Sequence, residues 1–372
     1  MSDITHIEDW VITKGMEGFK FAIEQLEGTY NVISGLPSKT KITTKWDGSP
    51  AVCAGIHPDT KKFFVGTKAV FNKQPKINYT EKDIKKNHPN SVYLQKTLSC
   101  ALKYFPELGI NTVLQGDILY INDDFVRWNG YLTFKPNTIT YAIPENTDLA
   151  NRVTNSKIGI VFHTERPLLK DVKFNPDISN LKVSPNVWWR DASCVSVTSF
   201  DWKSSECIYR LLDSLKFLYK DISKSFVNKI STNKKYSKTF LSYMNNEARK
   251  RKTLMGISLL DFIEQEFQKN IQNLKKYDAI KNKINERDEM IEFFQSNWED
   301  TCKYFSVLRT IIDVKNLLIN KLSEGKHMEM FIDGQPTQPE GYVCISKEGV
   351  PSKLVDRMNF SYYNFNNKKD WE

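Results

Sequence analysis

The alternation of apolar and polar positions divides the chain into three stretches. Over roughly 7–35, Phe19, Phe21, Ala22, Ile23 and Leu26 recur near the helical period, and Gly28 follows as a stop. From about 40 to 71 the runs shorten to strand length. KITTKW, AVCAGI and KFFVGTKAVF are β-branched and aromatic, and Asp47-Gly48 and His57-Pro58-Asp59 punctuate them. Residues 91–105, SVYLQKTLSCALKYF, predict an amphipathic helix. Strands return at TVLQGDILY, YLTFKP, TITYAIP and KIGIVFHTE. This part of the chain predicts an α+β fold with mainly antiparallel strands.

The pattern changes near 203. From there to about 325, LLDSLKFLYKDI, LLDFIEQEFQKNIQNLKKY and YFSVLRTIIDVKNLLINKL carry apolar residues at i, i+3, i+4 spacing. Basic clusters separate them: Lys234-Lys235, Arg249-Lys250-Arg251-Lys252 and Lys275-Lys276. No repeat of fixed period is visible. Segment 339–363 is strand-like again, with a turn at Lys347-Glu348-Gly349. The expected organisation is 1–202 as the N-terminal part of a β-rich core, 203–325 as a lysine-rich helical insertion, and 326–372 as C-terminal strands completing the core.

Composition narrows the class. The 372 residues are 40% hydrophobic and 26% charged, which is globular and long enough to bury a core without staples. Lys and Arg outnumber Asp and Glu, 53 to 44, for a net charge of +9. That balance suits a polyanion partner, nucleic acid above all, and equally suits a plain solvated surface. The six cysteines (Cys53, Cys100, Cys194, Cys207, Cys302, Cys344) form no C-x-x-C pair, so neither zinc nor a disulfide framework is expected. The five histidines show no paired metal-ligand spacing. MSDITHIEDW lacks a signal-peptide pattern, and no apolar run reaches membrane-spanning length. The expected location is cytoplasmic, with no membrane contact.

One tetrapeptide carries candidate chemistry. Lys45-Trp46-Asp47-Gly48 puts a lysine at a strand end beside a tight glycine turn. An ε-amine placed so can approach a phosphate, and nearby cations or partial desolvation would lower its pKa and free the lone pair. Read plainly, D-G is also an ordinary turn between strands. Further along come Asp117 after Gly116 in VLQGDILY, an aromatic in IGIVFHTE, Glu340-Gly341 opening a strand, and Lys353 in the next strand candidate.

In that order, the five elements resemble the covalent nucleotidyltransferase superfamily of DNA ligases, RNA ligases and mRNA capping enzymes. The resemblance implies an antiparallel two-sheet, ATP-grasp-like ligase core. It implies that Lys45 is the nucleophile forming a lysyl–nucleotide adduct with ATP, and that Asp47 and Gly48 shape its loop. It implies that Asp117 contacts ribose or metal, Phe162 (or Tyr141) stacks on the base, Glu340 helps hold Mg²⁺, and Lys353 contacts the α-phosphate. Lys68 stands where ligases place a basic residue after the nucleophile strand.

The sequence also departs from the pattern. Ser49-Pro50 stands where DNA ligases carry an arginine, which is closer to phage-type RNA ligases. Val355 replaces a second lysine. Fewer than about twenty residues follow Lys353, too few for a C-terminal OB-fold, so none is expected. The stretch from Lys45 to Lys73 also looks like proteins of large tailed bacteriophages, which implies a phage-infected bacterial cytoplasm. The expected activity is an ATP-dependent RNA ligase, with the basic helices gripping the phosphate backbone. A DNA ligase, and a non-catalytic nucleic-acid-binding or phage structural protein on a degenerate core, are the alternatives.

Overall fold

The computed structural model describes residues 4–122, 124–169, 171–193, 199–325, 328–332 and 334–358. The chain opens with β1 (Thr5–His6) and a long helix α1 (Asp9–Ile33), followed by β2 (Lys41–Lys45), β3 (Ala51–Ile56) and β4 (Phe63–Gly66). Two helices come next, α2 (Glu81–Asn87) and α3 (Val92–Tyr104). Both begin where the sequence supplies a cap. The Thr80 hydroxyl accepts from Asp83 N while the Asp83 carboxylate accepts from Thr80 N, and the Ser91 hydroxyl accepts from Leu94 N.

Strands β5 (Val113–Ile121), β6 (Val126–Trp128), β7 (Tyr131–Phe134) and β8 (Thr140–Pro144) follow, then α4 (Asp148–Asn155), β9 (Ile158–Glu165), β10 (Lys173–Phe174) and β11 (Val187–Asp191). Six helices occupy the next stretch: α5 (Trp202–Asp221), α6 (Lys224–Thr232), α7 (Lys234–Arg249), α8 (Gly256–Gln272), α9 (Tyr277–Ser296) and α10 (Trp298–Leu322). The chain returns to strand in β12 (Glu329–Ile332), β13 (Gln335–Pro336), β14 (Gly341–Ile345) and β15 (Pro351–Leu354).

The fold is α+β, as the period changes predict. Among the described residues there are three sheets instead of the expected two. A four-stranded sheet runs β1-β15-β14-β2, and a six-stranded sheet runs β10-β9-β5-β3-β4 with β11 beside β9. A five-stranded sheet runs β13-β12-β8-β7-β6. The hydrophobic pattern marks which residues form strands, and cannot say which strands share a ladder. Pairing is mainly antiparallel, with parallel exceptions at β1–β15 and β11–β9.

Strand alternation sets the faces of the six-stranded sheet. Val52, Ala54, Leu114, Ile118, Ile160 and Phe162 point one way and pack under α3, against Leu98, Ala101 and Phe105. The opposite face carries Gln115, Asp117, Val161 and His163.

The helices α5–α10 are not a separate unit. Their buried faces share one core with α1 and with Ile42, Tyr342, Cys344 and Leu354 of the four-stranded sheet. Charged groups are buried at that junction. Lys315 Nζ donates to both carboxylate oxygens of Glu8 at 3.0 and 3.1 Å, and Arg357 donates to both oxygens of Asp9 at 2.9 and 2.6 Å. Among the described residues, no helix is long and apolar enough to cross a membrane.

Candidate functional site

A cleft of about 600 Å³ lies between the four-stranded and six-stranded sheets. Ordinary small-molecule sites span this size. Lys45, Asp47, Gly48, Lys68, Asp117, Glu340 and Lys353 all line it.

Two ladders bring the distant residues together. Strand β14 pairs antiparallel with β2 in a register that sets Gly341 opposite Lys45, which puts Glu340 at the strand entrance beside the lysine. Lys45 Nζ donates directly to Glu340 Oε2. The same β14 pairs with β15, setting Val343 opposite Lys353. A Cβ on Gly341 would lie 2.3 Å from the Leu354 carbonyl and 2.8 Å from Val355 Cγ2, and its φ is +153°. Val355, standing where the resemblance implies a second lysine, is buried in the apolar cluster with Trp46 and Tyr141.

The turn after Lys45 is held from two sides. The Asp47 carboxylate is buried and accepts three hydrogen bonds, from Asn137 Nδ2 at 2.6 Å and from Thr138 N and Ile139 N at 2.7 Å each. Asp47 N donates to the Tyr141 hydroxyl at 2.8 Å. Ser49 N donates to the Ile118 carbonyl at 2.8 Å. The loop therefore passes so close to β5 that a Cβ on Gly48 would lie 2.7 Å from Asp117 Cβ. Asp47 and Gly48 act on the site by fixing the loop.

The charge state of Lys45 differs from the expected one. Burial acts to lower its pKa, and Glu340, Asp117 and Asp47 together outweigh that, so the net shift is upward. Glu340 is also raised, first by burial, with Lys45 opposing. Sequence registers only Asp47, two residues away; Glu340 and Asp117, the larger contributions, reach Lys45 through tertiary pairing.

Phe162 is not in the cleft. It is fully buried on the α3 side of β9, with its ring centroid 6.2 Å from that of Phe105. The base-stacking role expected of it is therefore lost, by one position of strand phase. His163, the next residue, lines the cleft, with Nε2 3.6 Å from Asp117 Oδ2. Tyr141 is buried too, with its ring tilted on Trp46 at 5.4 Å behind the loop that follows Lys45.

Gln115, Asn137 and Arg166 line the cleft and belong to none of the motifs. Two-residue alternation from Asp117 would have found Gln115; nothing in the sequence marks the others. The basic clusters lie elsewhere. Arg249–Lys252 and Lys275-Lys276 are exposed at opposite ends of α8, so they do not form one continuous patch.

Among the described residues, no group of three or more His, Cys, Asp and Glu side chains is placed to hold a metal. Two hard oxygen donors, Asp117 and Glu340, do share the cleft. That set fits Mg²⁺, which keeps waters and takes phosphate oxygens alongside one or two carboxylates.

Fold and cleft together define an α+β protein in which a largely buried lysine meets carboxylates and further cations between two sheets. A family model matches residues 2–369, and the chain belongs to that family, a family of unknown function designated DUF6267. No curated protein and no solved structure matches the chain.

Proposed function

We propose that this protein is an ATP-dependent nucleotidyltransferase of nucleic-acid ligase type, with Lys45 as nucleophile and RNA ends as preferred substrate. The observation that carries the reading is that Lys45, Asp117, Glu340 and Lys353 line a single cleft despite their separation in sequence. Acids and lysines have little reason to converge in a concave site unless it handles phosphate.

Lys45 Nζ, which touches Glu340, gives up its proton to water once the ion pair with Glu340 is relieved. The freed lone pair attacks the α-phosphorus of ATP, a P–N bond forms, the P–O bond to pyrophosphate breaks, and pyrophosphate leaves with the electron pair. Lys353 and Lys68 offset the charge that develops on the phosphates. Bound at Asp117 and Glu340, Mg²⁺ would neutralise the carboxylates and draw charge from the leaving group. A 5′-phosphate end then takes the AMP from lysine, and a 3′-hydroxyl displaces it.

A second reading, a non-catalytic nucleic-acid-binding protein, is favoured by Val355, which fills a lysine position with core packing. Labelled ATP separates the two. Incubation with Mg²⁺ followed by a denaturing gel should give an acid-labile label on the wild type. Lys45→Ala and Lys45→Arg should give none, because a guanidinium has no lone pair at neutral pH. A wild type that never labels, with ATP or GTP and any divalent metal, would sink the ligase reading.

A further inference from the structure

Arg166 follows β9 and is 6% exposed, yet it lines the cleft. Its backbone N donates to the Val113 carbonyl at 2.8 Å. Its guanidinium lies over the Phe71 ring, 4.4 Å from the centroid, and its Nε donates to Gln115 Oε1 at 3.2 Å. A ring face and a side-chain amide thus fix the plane of the guanidinium. The carboxylate next to it in sequence, Glu165, is turned to Lys173 at 3.3 Å. Phe71 belongs to a single helical turn, Lys68–Phe71, whose first residue is the cleft-lining Lys68. Both cations act on the buried Cys53 thiol, Arg166 more strongly than Lys68, with Asp117 opposing them.

This group stands apart from the lysine–carboxylate group. Gln115 and Asp117 alternate on β5, so their side chains are about 7 Å apart along the strand. Along β5 the cleft passes from the group of Lys45, Asp117 and Glu340 to Gln115 and the Arg166 guanidinium bonded to it. A guanidinium held flat presents parallel N–H donors that match phosphate oxygens.

We infer that Arg166 and Lys68 form a second phosphate subsite, distinct from the position where Lys45 would meet an α-phosphate. Naming its ligand rests on the nucleotidyltransferase reading. The phosphate is either the polyphosphate tail of the nucleotide or the 5′-phosphate of a polynucleotide end.

The test titrates the full-length protein calorimetrically at low salt with sodium tripolyphosphate, and separately with 5′-phosphorylated and 5′-hydroxyl forms of one short RNA. Lys68→Ala and Arg166→Gln should each weaken binding about ten- to a hundredfold, the range of a charge-assisted hydrogen bond. Arg166→Lys should recover part of the loss. A loss confined to tripolyphosphate assigns the nucleotide tail. A loss confined to the 5′-phosphorylated RNA assigns the polynucleotide end. Circular dichroism checks folding, and the exposed Lys68 carries the test if Arg166→Gln does not fold. Wild-type affinity retained by the folded variants overturns the subsite, as does a wild type that binds none of the probes. Phosphate binding that depends on Arg166 in a protein that never labels Lys45 keeps the subsite and removes the ligase. Labelling of Lys45 with no effect of Arg166 on any probe does the reverse.

Discussion

A lysine amine attacks phosphorus only after losing its proton. Glu340, with Asp117 and Asp47, holds the Lys45 pKa above the ordinary lysine value. The neutral fraction therefore grows only as pH rises through that raised value. In the protein without nucleotide, acylation of Lys45 by an amine-selective reagent should need higher pH than acylation of a free lysine side chain. Mass spectrometry of peptides across a pH series reads this directly. Glu340→Gln should move the Lys45 acylation profile to lower pH; under the proposed function it should also lower covalent labelling with ATP roughly a hundred- to a thousandfold, as loss of an electrostatic catalytic group does. A Lys45 that acylates as readily as a surface lysine would contradict the paired state. The sequence marked Lys45 and Glu340 through K-x-D-G and E-G, and it pointed to the opposite pKa shift. Composition near Lys45 in the chain says nothing about which charges fold onto it.

Strand geometry decides which neighbours of a motif residue reach the cleft. On β9, Val161 and His163 face the cleft and Phe162 faces α3. Phe162→Ala should cost about 3–5 kcal/mol of stability by opening a core cavity, with nucleotide affinity unchanged in the folded fraction. Denaturant melts and a binding titration on the same sample check both halves. Loop geometry decides the glycine. In Gly48→Ala the added carbon meets Asp117 Cβ at 2.7 Å and the Ile118 carbonyl at 2.8 Å, so the loop or β5 must shift. We expect a loss of about 1–3 kcal/mol and a much larger drop in labelling, because the displaced loop carries Lys45. Labelling at the wild-type rate in G48A would show that the close approach has no bearing on the lysine.

The helices and the four-stranded sheet share one core, and ion pairs sit inside it. Glu8 is buried; burial opposes its charged form, and Lys315 and Arg357 outweigh that, bringing its pKa down to about 2. It is therefore charged at neutral pH and depends on Lys315, itself buried. Lys315→Met should destabilise the protein by about 3–5 kcal/mol, since it strands a buried carboxylate. Adding Glu8→Gln should restore much of that loss. A chemical-denaturation series on the single and double variants measures it, and an unchanged midpoint in Lys315→Met would show that the pair is solvated. This junction lies away from Lys45 in sequence, yet α1 leads into β2, which ends in Lys45, and Arg357 follows β15, the strand of Lys353. The expected insertion at 203–325 carried no statement of what its helices cover. Helical period reports which face of a helix is apolar and is silent on what covers it.

Local pattern by itself determined the α+β class, the long first helix, the helical stretch after 203 and the order of motifs from Lys45 to Lys353. Each is a short-range property, set by side-chain period, caps and turn residues. Only the tertiary structure decided that β14 lies against β2, so that Glu340 meets Lys45. It also decided that Phe162 turns inward while His163 turns to the cleft, that Arg166 is held beside Lys68, and that the helices belong to the same core. The first two depend on sheet partner and register, where a one-residue shift turns each side chain to the other face; the others depend on how loops and helices pack over the sheets.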